Sequence, residues 1–294
     1  MRGKRVTFPG IVVPAILLAP QLAITFIFFV WPAIQSLRNA LFRQDAFGLA
    51  EEFVGLDNFI KLFAEPDYAS AFGLTLVFAV ATTALSMGFA LLFAVLADGV
   101  VKGAAIYKSL LTWPYAVAPA IAGVLWWFLF NPTIGILSRG LSVIGIDWNH
   151  HLNSGQALAL VIIASAWKQL SYNFLFFLAG LQTIPKSLLE AAALDGAEGY
   201  VRFRTIVLPL LMPTTFFLIV TNLVYAFCDT FAVIHATTGG GPGTATTTLI
   251  FKIYRDGFEA LDLGSSAAQS VVLMLLVGTL TIIQFRYIER NIHY

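Results

Sequence analysis

The chain has 294 residues, of which 59% are hydrophobic and only 11% are charged, and its formal net charge is +1. About a quarter of the residues in an ordinary soluble domain are charged, so this composition excludes a soluble domain. It predicts an all-α polytopic membrane protein. The balanced charge gives no indication of nucleic-acid binding. The single cysteine cannot form an internal disulfide, and the scattered histidines predict no metal site.

The first predicted element is a membrane span over residues 11–37, which follows the short basic N-terminus MRGKRVTFPG. This apolar run is longer than the roughly 7 to 15 residues of a signal-peptide core, and it contains no clear cleavage pattern of small residues. We therefore expect a retained span rather than a cleaved leader.

Five further segments have about the 20 mostly apolar residues that a helix needs to cross the membrane core. They occupy residues 71–97, 108–131, 155–181, 209–236 and 265–285. Proline in a span removes a backbone donor, so a neighbouring helix or a cavity must satisfy the freed carbonyl. Prolines of this kind are Pro14, Pro20 and Pro32 in the first span and Pro114 and Pro119 in the third.

An even number of spans places both termini on one side, and the basic residues indicate which side that is. With a cytoplasmic N-terminus, the inner side holds Arg2, Lys4, Arg5, Lys102, Lys108, Lys186, Arg202, Arg204, Arg286 and Arg290. The outer side holds the smaller set Arg38, Arg43, Lys61, Arg139, Lys252 and Arg255. We therefore expect both termini to be cytoplasmic.

The segment between the fourth and fifth spans contains the sequence EAAALDGAEGYVRFRTIVLPLL. Ser187 and Glu190 have the spacing of a capping box, in which Ser187 caps a helix and Glu190 reaches back. Ala191 to Ala193 favour helix, and the following Asp195-Gly196 pair predicts a turn with glycine in the left-handed position.

A second short helix is expected from about Glu198, and Pro209 would mark the entry to the fifth span. Local chemistry leaves two interpretations of this segment open. Glu190 could only cap its own helix, with Arg202 and Arg204 anchoring the loop to lipid headgroups. Alternatively, Glu190 could offer its carboxylate to a partner protein.

The spacing of this segment resembles the cytoplasmic signature of the permease subunits of bacterial ABC importers. That signature reads E-A-A, three residues, G, nine residues, I, one residue, L-P. The matching positions are Glu190, Ala191, Ala192, Gly196, Ile206, Leu208 and Pro209. The resemblance implies an ABC transporter type-1 permease architecture with six transmembrane helices. It also implies that this loop docks on a separate ATP-hydrolysing subunit, a role that is compatible with helix capping.

Other strings resemble a narrower group within this family. TTGGGP at 237–242, with Tyr254 and Phe258 downstream, resembles the carbohydrate-type branch related to maltose permeases. Permeases of sn-glycerol-3-phosphate importers are similar in the strings WNHHLNSGQA, WKQLSYNFLFF, NLVYAFCDTF and SSAAQSVVLM. The resemblance implies transport of sn-glycerol-3-phosphate, or of a related glycerophosphodiester or sugar.

The resemblance further implies a multi-pass protein of the bacterial inner membrane and a set of partners. These are a second permease subunit that completes a heterodimer, two ATPase subunits and an external or periplasmic binding protein, besides membrane lipid. This chain would hold no cofactor, since ATP and Mg belong to the ATPase. A permease core at 71–285 would carry the coupling loop at 182–208, between an N-terminal region at 1–70 and a cytoplasmic tail at 286–294.

The sequence predicts no enzymatic activity of its own. No G-x-x-x-x-G-K-[ST] phosphate loop occurs, and GGGPG at 239–243 lacks the required lysine and hydroxyl. No nucleophile is paired with a base, so no catalytic residue is assigned. We interpret the glycine run as a flexible external turn.

Two ionisable residues, Lys168 and Asp229, are predicted inside spans. A charge near the bilayer centre costs about 2.5 to 3.5 kcal/mol on insertion scales, so such residues usually face protein or water. Each belongs to a polar stripe at helical spacing. The stripes are Ser165, Lys168, Gln169 and Tyr172 in the fourth span and Asn222, Tyr225 and Asp229 in the fifth.

These stripes allow two interpretations. They could line a water-accessible substrate path, or Lys168 and Asp229 could form a buried salt bridge that only joins two helices. A rival function is an ion-coupled secondary transporter with Lys168 and Asp229 as its ion site, but it leaves the coupling signature unexplained. A purely structural or signalling membrane subunit is a third alternative.

Overall fold

The structure is a computed structural model that describes residues 10–44, 50–99, 103–197 and 199–291, without the side chains of 104 and 287–291. Several residues used to predict orientation lie outside this range, namely Arg2, Lys4, Arg5 and Lys102, as does Glu198. The described chain is mostly helical, as the composition predicted.

The first span is a continuous helical run. Helix α1 (Val12–Thr25) passes through a π-helical turn at Phe26–Val30 into α2 (Trp31–Asn39). The whole run of 28 residues is long and apolar enough to cross a membrane, and it matches the predicted span over 11–37. A short antiparallel hairpin follows, formed by β1 (Phe42–Gln44) and β2 (Glu51–Phe53), and then α3 (Asp57–Ala64).

Two long helices form the centre of the main helical unit. They are α4 (Pro66–Asp98) and α8 (Ser154–Gln182), which confirm the second and fourth predicted spans. Ala90 and Ala94 of α4 share a buried cluster with Phe174 and Phe177 of α8. Small residues on one helix allow close approach of the other, and the phenyl rings fill the space between them.

The third predicted span, over 108–131, is not one straight helix. Helices α5 (Ala104–Ala116) and α6 (Pro119–Leu129) meet at an angle of 105°. Pro119 lacks the amide that would continue the helix, and it drives Ala118 into an extended conformation with ψ of 141°. The short helix α7 (Ile136–Val143) follows.

The fifth predicted span, over 209–236, is divided as well. After α9 (Lys186–Leu194), a helical run Gly199–Leu210 contains α10 (Gly199–Arg202), a π-helical turn at Phe203–Val207 and α11 (Leu208–Leu210). This run meets α12 (Met212–Cys228) at 68°. Pro209 therefore lies before the bend, which falls at Leu211 because Pro213 removes a donor from the next turn. Helix α13 (Phe231–Thr237) is separate.

The chain ends with α14 (Leu249–Tyr254), a π-helical turn at Arg255–Glu259 and α15 (Leu263–Asn291), which contains the sixth predicted span. Within the described residues, four helices can cross a membrane by length and composition, or up to six if each bent pair counts as one span. The prediction of a polytopic helical membrane protein is confirmed, whereas the number of six spans is confirmed only as four to six.

Residue contacts divide the chain into two units. One comprises the described part of Met1–Ala64 together with Arg255–Val272, and the other comprises Glu65–Tyr254 with the described part of Leu273–Tyr294. In the second unit, α4, α5, α6, α12 and α13 all pack against α8 or its neighbours. Gly123 of α6 allows this packing, because a Cβ there would lie only 2.8 Å from the Cβ of Ala236.

Candidate functional site

Helix α9 carries the E-A-A sequence, and it begins earlier than predicted. Its N-cap position is Pro185, whose φ of −60° and ψ of 128° set the chain up for a helix from Lys186, and no side chain caps it. Ser187 therefore lies inside the first turn, and the capping box between Ser187 and Glu190 is wrong. The proline's fixed φ initiates the helix without a hydroxyl cap.

The end of α9 is a Schellman motif, which confirms the predicted turn. The amide of Ala197 donates to the carbonyl of Ala192 at 2.8 Å, and the amide of Gly196 donates to that of Ala193 at 3.1 Å. Gly196 has φ of +79°, the left-handed conformation that glycine adopts without penalty. No atom would crowd a Cβ at this position, so the requirement for glycine is conformational.

One face of α9 packs on the protein and the other is open. Ala192 is buried, whereas Glu190 and Ala191 are exposed. Leu194 is 90% exposed, an unusual state for a large apolar side chain at the end of a helix. The open face thus combines a carboxylate, small side chains and the exposed apolar side chain of Leu194, a composition that suits contact with another protein.

The residues after α9 anchor it to the ends of two long helices. Val207 and Leu211 are buried in one cluster with Ile184, which follows α8, and with Ala94 and Ala97 of α4. The remaining signature positions lie around this anchor: Ile206 and Leu208 are half-buried and Pro209 is exposed. The segment therefore couples an open helix to packed side chains of α4 and α8.

Lys168 binds the kinked helix rather than an acidic residue. Its Nζ donates to the backbone carbonyl of Tyr115 at 2.9 Å and lies 5.6 Å from the centre of that tyrosine's ring. The carbonyl is free because its helical partner would be the amide of Pro119, which does not exist. One turn further along α8, Ser171 Oγ donates to the carbonyl of Leu111 at 2.8 Å. The contact of Lys168 confirms for Pro119 that a neighbouring helix satisfies the carbonyl that a proline leaves free.

The salt bridge between Lys168 and Asp229, one of the two interpretations that the sequence left open, does not occur in the described part of the chain, where the ion pairs join other residues. Asp229 is exposed and directly follows the end of α12. The reason is the kink: the Tyr115 carbonyl competes for the ammonium, and the helix that was to carry Asp229 through the membrane ends at Cys228.

The rest of the first stripe is distributed between surface and interior. Tyr172 is half-buried and packs its ring 4.7 Å from that of Phe176, whereas Gln169 is buried. Tyr225 of the second stripe is half-buried beside Ser165. Lys168 and Tyr172 thus remain partly accessible, as a path would require.

Asn222 lies in the interior, so its predicted place on a path is not supported. The side chain is 1% exposed, and its Oδ1 accepts hydrogen bonds from Asn173 Nδ2 at 3.0 Å and Ser86 Oγ at 3.2 Å. Its Nδ2 donates to Asn173 Oδ1 and to the carbonyl of Leu218, each at 2.7 Å. The amide is fully satisfied and joins α4, α8 and α12.

Comparison with known proteins adds a decisive observation. The sequence model of the family described as "Binding-protein-dependent transport system inner membrane component" matches residues 4–294. The chain belongs to this family. Its members are permease subunits of transport systems, and the chain is accordingly a transport subunit rather than an enzyme.

Curated relatives of this permease match over almost the full length. The sn-glycerol-3-phosphate transport system permease protein UgpA of Brucella abortus biovar 1 is 56% identical over 291 residues, which cover 99% of both chains. The protein of the same name from Agrobacterium fabrum is 57% identical over 291 residues, again with 99% coverage of both chains.

A solved structure confirms the fold of this permease. A chain of a bacterial alginate ABC transporter, crystallised with an alginate-bound periplasmic protein, superposes with a TM-score of 0.78 at 22% identity. The superposition covers 93% of this chain and 92% of that one. At this identity the likeness shows the ABC permease fold alone.

The sequence analysis missed a buried charge in the permease. Lys252 of α14 is 3% exposed, and its Nζ lies 3.0 Å from Oε1 of Glu65. The hydropathy pattern had placed Lys252 in an external loop. The only signal in the sequence is that this lysine interrupts the apolar string LIFKIY.

The glycine run is ordered rather than flexible. Thr246 donates through its amide to the carbonyl of Gly240 at 3.1 Å, and its Oγ1 lies 2.6 Å from that of Thr238. Thr247 Oγ1 also bonds to the Gly240 carbonyl, at 3.1 Å. At Gly240, φ is +85° and a Cβ would lie 2.5 Å from the ring of Phe251. The glycine is needed for close packing, so the prediction of a flexible turn is wrong.

Proposed function

We propose that this permease forms half of the translocation path of an ATP-driven importer of sn-glycerol-3-phosphate. The two relatives that are 56% and 57% identical are named for that substrate. The structural observation that carries the coupling part of the proposal is helix α9. It presents Glu190 and Leu194 on an open face while Ala192 and the residues that follow the turn pack on the protein.

Coupling would run through the signature residues. Glu190 and Ala191 contact the ATPase, Ala192 allows α9 to approach its own subunit closely, and Gly196 makes the turn. Ile206, Leu208 and Pro209 shape the run that leads back into the membrane. Because Val207 and Leu211 pack with residues of α4 and α8, a displacement of α9 on ATP binding is transmitted to both long helices.

The complete importer would contain partners that supply what this chain lacks. These are a second permease, two ATPase subunits that bind ATP and Mg, and a periplasmic binding protein. Each bent helix pair would count as one span, which gives six spans with both termini in the cytoplasm of a bacterial inner membrane. In this orientation α9 faces the ATPase, and the ordered loop around Gly240 faces the binding protein.

The substrate would pass Lys168, Tyr172, Tyr225 and Asp229, which are half-buried or exposed, whereas the buried Gln169, like Asn222, would lie off the path. A phosphate monoester carries close to two negative charges, so a path through the membrane requires a compensating cation. An ammonium has three donor hydrogens. Only one contact of Lys168 Nζ, to the Tyr115 carbonyl, is short enough to be a hydrogen bond within the described residues, so donors are available for a passing phosphate. Asp229 would compete with the substrate phosphate for the ammonium of Lys168 and so assist release of the substrate.

The ion-coupled alternative is not favoured, because the relatives are binding-protein-dependent permeases and no Lys168–Asp229 pair forms. The test is uptake of labelled sn-glycerol-3-phosphate into proteoliposomes that contain the chain with its candidate partners. Uptake should require ATP, the ATPase and the binding protein together, and unlabelled sn-glycerol-3-phosphate should compete. Uptake by the chain alone under a proton or sodium gradient would contradict the proposal.

A further inference from the structure

Helix α3 exposes a continuous apolar stripe outside the membrane spans. Leu56, the turn residue directly before α3, and Ile60 and Phe63 within it follow the spacing i, i+4, i+7 and are 64%, 67% and 65% exposed. The opposite face carries Asn58 and Leu62, which are buried. Large apolar groups repeated on one face of a helix are typical of helices that lie in a membrane interface or against a partner.

The buried face of α3 fixes its height relative to the membrane. Asn58 Nδ2 donates to the carbonyls of Ala40 and Phe42, each at 2.9 Å. Ala40 is the C-cap of α2 and thus the end of the first span. At the second residue of α15, a Cβ on Gly264 would lie 2.7 Å from the Phe42 carbonyl and 3.1 Å from Asn58 Nδ2. Helix α3 is therefore fixed where one span ends and another begins.

The length of the first span places this level in the headgroup region. The run Val12–Asn39 has 28 residues, and at 1.5 Å per residue it is about 42 Å long. The hydrocarbon core is only about 30 Å thick. If the excess is shared between both ends, α2 ends roughly 6 Å beyond the core. A helix fixed there has its apolar face within the roughly 5–10 Å over which interfacial helices immerse theirs.

The polar face of α3 itself carries one acidic and one basic residue, Asp57 and Lys61, whose charges sum to zero. Asp57 Oδ2 accepts from Arg43 Nη2 at 2.8 Å and from Lys61 Nζ at 2.8 Å, and all three groups are exposed. The two cations are thus engaged by the same carboxylate. Such a helix would be held by apolar contact with lipid rather than by attraction to anionic headgroups.

We propose that α3 is an interfacial helix whose Ile60 and Phe63, together with the preceding Leu56, are immersed in phospholipid at the membrane surface where the first span ends. Through Asn58 it ties the end of the first span to the start of the last. Lipid is a better occupant than a binding protein, because the anchoring contacts hold the helix at headgroup depth. The inference does not depend on the substrate.

The test uses single cysteines on the assembled transporter in phospholipid vesicles. Cys228→Ser removes the only native cysteine. Ile60→Cys and Phe63→Cys then report on the apolar face, and Lys61→Cys is the matched control on the polar face of the same helix. All three sites are exposed, so none of these changes removes a buried side chain. Each cysteine receives a nitroxide label.

We expect labels at 60 and 63 to collide more with lipid-soluble oxygen than with a water-soluble nickel chelate, and the label at 61 to show the reverse order. Nickel accessibility at 60 and 63 equal to that at 61 would show a free aqueous surface and overturn the proposal. Low accessibility to both reagents would show that a protein subunit covers the helix, which also overturns it.

Discussion

Lys168 illustrates how a membrane helix can hold a charge without an acidic partner. Pro119 leaves the Tyr115 carbonyl without a backbone amide to donate to it, and Lys168 Nζ donates to that carbonyl instead, at 2.9 Å. This hydrogen bond pairs both the carbonyl and the ammonium, each of which would be costly to leave unpaired in a low-dielectric environment. It also holds the lysine near the bend between α5 and α6.

The first prediction concerns the charge of this lysine. Lys168→Met should lower uptake of sn-glycerol-3-phosphate by roughly ten- to hundredfold, the equivalent of about 1.5–3 kcal/mol for a lost charge-assisted hydrogen bond. The double variant Lys168→Met with Asp229→Leu should not recover, because the two residues form no pair. Uptake assays at matched subunit abundance measure this. Recovery of the double variant to the parental rate would show that the pair is structural.

His150 is an unusual residue in the loop between α7 and α8. Its side chain is 1% exposed, and its ring centre lies 4.1 Å from that of His151. Burial and the nearby His151 lower the pKa of His150 from 6.5 to about 4, and attraction of a ring proton to the Phe130 carbonyl opposes the shift only in part. The folded protein therefore keeps this imidazole neutral.

The second prediction follows from the sign of that shift. Below pH 6.5 the unfolded chain binds a proton that the folded chain does not, so stability should fall from pH 6.5 to about 4 and then level off. The maximum loss is about 3 kcal/mol at 1.36 kcal/mol per pKa unit. Thermal unfolding of the purified complex against pH measures it. His150→Gln should flatten this dependence. An unchanged slope in His150→Gln would show that His150 is not its source.

At the level of elements, the turn after α9 depends on one backbone conformation. The third prediction is that Gly196→Val lowers uptake strongly and weakens retention of the ATPase, because a left-handed conformation costs an L-residue about 1–2 kcal/mol and a β-branched one more. Gly73→Val is the matched control, since Gly73 is exposed in α4 and has open space around it. Co-purification and uptake are measured together. Normal values for Gly196→Val would exclude the turn from coupling.

The buried side-chain amides of Asn173 and Asn222 connect helices α8 and α12. The fourth prediction is that Asn222→Leu leaves Asn173 Oδ1 without its donor, while Asn173 Nδ2 keeps its hydrogen bond to Ser86 Oγ. The loss should cost about 1–3 kcal/mol, seen as lower abundance and a lower unfolding midpoint. Thr221→Val is the control, because Thr221 Oγ1 donates to the Phe217 carbonyl of its own helix and takes no part in the network of Ser86, Asn173 and Asn222. Equal stability of both variants would mean that the network contributes nothing specific.

Element boundaries show what local sequence could and could not predict. The left-handed Gly196 was predictable, because the turn is determined by its own residues. The start of α9 was not, since Pro185 and Ser187 are both acceptable initiators and only the structure decides between them. Hydropathy likewise predicted that 108–131 and 209–236 enter the membrane. It is insensitive to direction, so it could not reveal bends of 105° and 68°.

For the whole molecule, contacts between residues that are far apart in the sequence could not be predicted from the sequence. Glu65 and Lys252 are 187 positions apart, and Ser86 and Asn222 are 136 apart. A polar residue in an apolar run indicates that some partner exists, but its periodicity does not distinguish a path from a buried network. The coupling segment was predictable because its signature lies within one contiguous stretch of sequence. The burial of Asn222 was not, because it depends on the packing of three helices.

The central claim is that the open face of α9 docks on a separate ATPase. The most direct measurement places a photo-crosslinking amino acid at position 194, where Leu194 is 90% exposed, in a transporter that is active in uptake. Leu175, 42% exposed on α8, is the matched control. We expect a covalent adduct between position 194 and the ATP-hydrolysing subunit, and none from position 175. An active transporter that gives no such adduct at 194, or equal adducts at both positions, would contradict it.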